Sequence, residues 1–206
     1  MHFQAFFGTF TQLSAEKTLL PSLTSVLPEL APSLGLTSQA LYERARALIR
    51  LELLPSAEGR GRRSGAQAEP AHIALLIIAV MATDNLSEID GRVRRLAQAK
   101  IIGKQRASRC PITDATNFHD ALTALLSDKV SVSRDTDTLI EISVSRFEPK
   151  AWIEYFAWPG LKEPVHTEFG ETDQRRFDVL SVSSELPHGA FLAIKEIASR
   201  ARESKL

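Results

Sequence analysis

Cysteine occurs once in the 206 residues, at Cys110. That excludes an internal disulfide framework and points to a reducing compartment, the cytoplasm. Long apolar runs are missing too. The longest, Ile73 to Ala82, is about half of what a membrane-spanning helix needs. The opening Met1-His2-Phe3-Gln4 lacks the basic start and small-residue cleavage site of a secretory signal. Glycine and proline, ten of each, are too few for a low-complexity chain. There is no net charge, since 25 Lys and Arg balance 25 Asp and Glu. What is present is 44% hydrophobic and 24% charged, the make-up of an ordinary soluble globular protein. A chain of this length suits one domain or two small ones, and hides roughly 70% of its unfolded surface.

Catalytic motifs are also scarce. His2, His72, His119, His166 and His188 are scattered without metal-ligand spacing. His166 and Glu168, two residues apart, make no zinc motif. Cys110 lies near Arg106 and Arg109, which lower a thiol pKa, but no partner base accompanies it. A phosphate-binding glycine loop and a serine-hydrolase elbow are both missing. Asp135 and Asp137 read as solvated turn charge. These gaps argue against an enzyme and give no reason to expect a metal or cofactor.

The zero total hides an uneven distribution. Residues 1–36 carry a net −1. Residues 37–110 hold 13 basic and 7 acidic side chains, a net +6, and residues 111–206 carry a net −5. A basic segment of this kind suits a polyanion partner.

The local patterns predict mostly helices in the first half. Leu13–Leu20 suggests a short helix, and Leu27–Leu34 a second, with Pro28 in its first turn and Gly35 as its stop. Thr37 or Ser38 can cap the next helix, which the spacing carries to about Leu53. Leu41, Ala45, Leu48 and Ile49 form its apolar stripe, and Gln39, Glu43, Arg46 and Arg50 another face. Glu58 to Gly65 is glycine- and arginine-rich, a loop or hairpin tip. Pro70–Thr83 reads as a helix apolar all round, or less readily as a buried strand. Such a helix is central to a core, or a dimer seam if exposed. Leu86, Ile89, Val93 and Leu96 continue with a one-sided helix. Gly103 to Pro111 is a basic linker, which places the domain boundary there: 1–103 against 112–206.

The second part changes period. Asn117 can cap a helix over Phe118–Leu126. Leu139–Val144 and Trp152–Phe156 flank a short turn, Phe147–Lys150, and predict a β-hairpin. Arg176–Val182 suggests a third strand, and Pro187–Arg202 a final amphipathic helix. The expected fold class is therefore α+β: a helical N-terminal domain followed by a small α+β domain with an antiparallel hairpin.

One constellation carries chemistry. A short helix ends at Gly35, a tight turn leads to a helix with a polar stripe, Leu53-Leu54-Pro55 closes it, and the glycine-arginine tip follows. This order is a helix-turn-helix with a wing. Such a helix fits the DNA major groove with its N-terminal residues toward the bases. Gln39 suits adenine and Arg46 guanine or a phosphate. Arg44 and Arg50 suit phosphates. Ser38, Tyr42 and Glu43 share the segment, although Tyr42 fits packing equally and Glu43 sits poorly beside phosphates. Arg60, Arg62 and Arg63 suit the minor groove or phosphates.

The residues Leu41-Tyr42-Glu43-Arg44, Leu53-Leu54-Pro55, Gly59-Arg60-Gly61, Ile73 and Leu76 resemble the winged helix-turn-helix of bacterial mercury-resistance-type regulators and phage excisionase-like proteins. The likeness covers roughly residues 23–82. The family's glycine at the corner is replaced by Glu52. The resemblance implies a bacterial or prophage transcription regulator that binds double-stranded DNA, commonly as a homodimer. The second half would then dimerise, sense an effector or contact a protein, and Trp152, Tyr155 and Trp158 mark a candidate partner surface or, equally, hydrophobic core.

Two other readings compete. The stripe on the second helix also suits a solvated face in an adaptor whose winged helix binds protein. An enzyme in the second half would need a pocket joining His166, His188, Glu168 or Asp178. Arg92, Arg94, Arg95, Lys100, Lys104, Arg106 and Arg109 form a further basic cluster, read first as solvated charge. Ser204-Lys205-Leu206 spells a peroxisomal address, which ill fits a DNA-binding regulator and is read as chance.

Overall fold

The computed structural model describes residues 20–56, 65–102, 109–132, 138–171 and 182–203. Expectations over 13–19, at Asp135 and Asp137, and over 176–181 fall outside the described residues, as does Ser204-Lys205-Leu206. Helix α1, Leu23–Ser33, starts four residues earlier than the spacing predicts. Ser22 is the reason: its side chain accepts from the Ser25 N–H and caps the helix there. Pro28 and Pro32 therefore lie inside α1 rather than at its start. Gly35, at φ +67°, takes the left-handed conformation that ends the helix.

Thr37, not Ser38, caps α2, Ser38–Arg50, by accepting from the Ala40 N–H at 3.2 Å. The helix stops short of Leu53 because Glu52 adopts φ 56° and breaks the run. Helix α3, Pro70–Ala82, is a helix and not a strand. It is central to the core: Ile73, Leu76, Ile77 and Ile78 are all but fully buried. Each such side chain contributes about 2 kcal/mol by leaving water. The seam role open to an exposed α3 does not apply, because α2, α4, α5 and strands of the sheet cover it. A short 3₁₀ turn, Leu86–Glu88, leads to α4, Ile89–Ala97. Strand β1, Lys100–Ile101, follows.

Asn117 caps α5, Phe118–Leu126, by accepting from the Asp120 N–H at 2.8 Å. Strands β2, Leu139–Ser145, and β3, Ala151–Ala157, form the expected hairpin. Strands β4, Val165–Gly170, and β5, Ser183–Leu186, complete a sheet that the sequence shows only in part. Its order is β1-β4-β3-β2-β5, and every pairing is antiparallel. Helix α6, His188–Glu203, closes the chain. The fold class is α+β, with six helices and one five-stranded sheet among the described residues.

Alternation sorts the sheet into two faces. Ile140, Ile142, Val144, Ala151, Ile153, Tyr155 and Phe169 are buried on the face toward the helices. Phe169 meets Phe118 of α5 at 5.5 Å between ring centroids. The alternate positions carry Glu141, Trp152, Glu154, His166 and Glu168, none of them buried. Helices of the first part pack on those of the second: α3 on α5, and α1 on α6. Arg200 of α6 pairs with Glu29 of α1 at 2.8 Å. The buried side chains of both parts belong to one cluster.

Candidate nucleic-acid interface

Helix α2 divides cleanly by period. Leu41, Ala45 and Leu48 are buried, while Ser38, Gln39, Tyr42, Arg46 and Arg50 are exposed and Glu43 is partly so. The i, i+4, i+7, i+11 spacing of Gln39, Glu43, Arg46 and Arg50 thus becomes one outward stripe. Its members are knit together. Gln39 Nε2 donates to Glu43 Oε1 at 3.0 Å, and Arg46 pairs with the same oxygen at 3.5 Å. The Arg46 guanidinium stands over the Tyr42 ring, 5.9 Å from its centroid. Glu43 therefore orients Gln39 and Arg46 from between them. At these exposures such pairs are worth no more than about 1 kcal/mol, so a stronger acceptor can displace them.

Arg44 corrects the expectation of a phosphate-facing side chain. It is 7% exposed, on the inner side of α2 with Leu41 and Leu48, and its Nε has no hydrogen-bond partner. The residue lies two positions from Tyr42 and from Arg46, which rotates it about 200° away from each and into the interior. Arg60, Arg62 and Arg63 lie outside the described residues. So the stripe is placed and the wing is not.

The segment after the glycine-arginine stretch returns to α1. Leu23 N–H donates to the Ala66 carbonyl at 2.7 Å, and Ala68 N–H to the Pro21 carbonyl at 2.9 Å. His72 on α3 donates to the Gln67 carbonyl at 2.7 Å. These bonds anchor residues 66–68 beside the α1 start.

The other singled-out residues are dispersed. Cys110 is buried, with its sulfur 3.4 Å from the Tyr155 hydroxyl and 3.8 Å from Thr167 Oγ1. Burial pushes the Tyr155 phenol well above its ordinary pKa, and neighbouring Cys110 adds to this. Tyr155 is thus a core residue, with Trp158 edge-on to it at 5.5 Å, and Trp152 alone of the three lies on the far face. His166 bonds Glu154 at 3.1 Å across strands. His188 sits at the α6 start, where burial lowers its pKa. Asp178 lies outside the described residues. Among the described residues no group of three His, Cys, Asp or Glu side chains is placed to share a metal ion.

No protein-family model matches the chain, and no curated protein or solved structure matches it either. No described helix is long and apolar enough to cross a membrane. The outward stripe on α2 is the best-defined candidate surface among the described residues, and α4 is one of the helices beside it. Arg94 on α4 donates from Nη2 to the Leu51 carbonyl at the α2 C-terminus, at 3.1 Å. This link between residues 43 apart has no signature in a linear reading.

Proposed function

We propose that the chain is a sequence-specific, double-stranded DNA-binding transcription regulator of bacterial or prophage type. Helix α1, the Gly35 turn and α2 act as its helix-turn-helix. Helix α2 enters the major groove, with Gln39 and Arg46 toward bases and Tyr42 and Arg50 toward phosphates. Arg60, Arg62 and Arg63 serve as wing contacts. The protein acts as a homodimer in the cytoplasm, so that two α2 helices meet successive major grooves. The observation that carries this reading is the exposed Gln39-Tyr42-Arg46-Arg50 stripe on a helix whose other side is locked into the core. The resemblance to mercury-resistance-type and excisionase-like winged helices points the same way.

A second reading has its own observation. The sheet face away from the helices carries Glu141 opposite Glu154, beside Trp152 and Glu168. Like charges directly across a sheet are unfavourable, and an adaptor that docks a basic protein there would relieve them.

Fluorescence anisotropy separates the two. Labelled duplex from the gene's own upstream region and a scrambled duplex are titrated at several salt concentrations. The regulator reading expects tighter binding to the upstream duplex and a loss of about tenfold or more with Arg46→Ala/Arg50→Ala. It expects no loss with Arg44→Met, since Arg44 is buried. Equal binding to both duplexes removes sequence specificity. Absence of binding at low salt moves the function to the protein-docking face.

A further inference from the structure

The β2–β3 turn and α4 come together although they are some fifty residues apart. Arg92 Nη1 on α4 donates to the Arg146 carbonyl in that turn. Arg146 in turn pairs with Asp84 and donates from Nε to Ser184 Oγ at 2.7 Å. Arg92, Arg95, Arg146 and Phe147 line one shallow cleft between the two elements, of about 10 Å³. A space of that size holds about one water, so the cleft is no small-molecule site. Its rim is a surface feature. Arg95 is exposed on α4, and Phe147 at the turn is 58% exposed, the most exposed large apolar side chain described.

The same helix reaches α2 at its other side. Arg94 holds the Leu51 carbonyl next to Arg50. Helix α4 therefore bridges the candidate recognition helix and an aromatic hairpin tip. It is nine residues long, about 13 Å, which matches about four base-pair steps measured along a duplex axis. Along this path lie Arg50, Arg92, Arg94, Arg95 and Arg146, while Lys150 is buried beneath the turn. Among the described side chains the acidic groups there are Glu52, Asp84, paired with Arg146, and Glu148, paired with Lys150; the sequence adds Glu88 and Asp90 at the α4 start. The exposed basic groups are concentrated at Arg94 and Arg95 on α4, and Asp84 at 73% exposure is a partner that water already weakens.

We infer that α4 and the β2–β3 turn make a second contact with the same DNA duplex, Arg95 on a backbone phosphate and Phe147 against deoxyribose. This rests on the DNA reading of α2 and extends its footprint across the sheet half. A phosphate contact and an apolar contact leave different marks. The first releases counterions and steepens the salt dependence, while the second changes affinity without changing the slope.

The test uses the full chain and two probes, the upstream duplex and a scrambled duplex, titrated over a salt series. Variants are Arg95→Ala, Arg95→Lys, Phe147→Ala and Arg46→Ala/Arg50→Ala. Both new sites are exposed, and circular dichroism checks that each variant is folded. Arg95→Ala should lower the slope of log affinity against log salt by about 0.9 on both probes, and Arg95→Lys should restore it. Phe147→Ala should weaken binding about fivefold with the wild-type slope. Wild-type slope in Arg95→Ala together with wild-type affinity in Phe147→Ala overturns the second contact and leaves α2 standing. Loss in those variants with none in Arg46→Ala/Arg50→Ala supports the α4 contact and overturns the α2 reading. A wild-type chain that binds neither duplex overturns both.

Discussion

Lys195 and Arg44 are both buried cations, and their surroundings separate them. Lys195 Nζ donates to the carbonyls of Leu125, Ser127 and Val130 at 2.8, 3.2 and 2.7 Å. These carbonyls lie at and just beyond the α5 C-terminus, where helix groups lack intrahelical partners and the dipole favours a cation. Burial pushes the Lys195 pKa down to about 8; Asp128 opposes this and Arg202 adds to it. In the unfolded chain the amine titrates near about 10.4. As pH rises through about 8 the folded state releases its proton first, while the unfolded state keeps its own until about 10.4. The amine therefore contributes least stability below pH 8 and more as pH climbs toward 10. Lys195→Met removes the donor from three carbonyls and should cost about 2 kcal/mol at neutral pH. The deficit should widen at pH 9.5, because only the wild type gains there. Urea melts of both proteins at the two pH values check this; a deficit that shrinks with pH would contradict it. Arg44 has no such partners for its Nε, and that difference was invisible in the sequence, where both residues look like ordinary helix cations.

At the scale of elements, the α1–α2 corner depends on one backbone conformation. Gly35 sits at φ +67°, and a Cβ added there would touch nothing within 4 Å. Any cost of substitution is therefore conformational rather than steric. Gly35→Ala should destabilise by about 1 kcal/mol and Gly35→Val by more, with Gly35→Asn between glycine and alanine. Thermal melts of the three variants should give that order, and an alanine variant as stable as wild type would show that the corner relaxes. This glycine was legible in advance, because a helix stop needs little beyond its own residues. So were α2, α3, α5 and the β2–β3 hairpin, whose periods are set locally by burial. The α1 start was not, since Pro28 looked like a first-turn proline and the Ser22 cap outranked it. Strands β1, β4 and β5 are two, six and four residues long, and pairing with distant partners defines them more than their composition does. The stripe on α2 was readable for the same local reason. The α4–hairpin contact was not, because it joins residues through tertiary packing alone.

At the scale of the molecule, a basic linker over residues 103–111 suggested two units, yet the helices interlock across it. Helix α3 packs on α5, α1 packs on α6, and Arg92 and Arg146 tie α4 to the sheet. One hydrophobic cluster runs through both parts. Such packing couples their unfolding, because opening either part would expose apolar surface on the other. The chain offers independent reporters. Both tryptophans, Trp152 and Trp158, belong to the sheet part, while four of the six helices among the described residues precede residue 98. Tryptophan fluorescence and far-ultraviolet circular dichroism should therefore give coincident denaturation curves with one midpoint. Ile77→Ala in α3 sharpens the test. Ile77 is fully buried and lies about seventy-five residues from the nearest tryptophan. Truncation there should cost about 3 kcal/mol and shift the fluorescence midpoint as far as the dichroism midpoint. A shift confined to dichroism would mean that the sheet holds without the helical half, and the chain would then be two units joined at the linker.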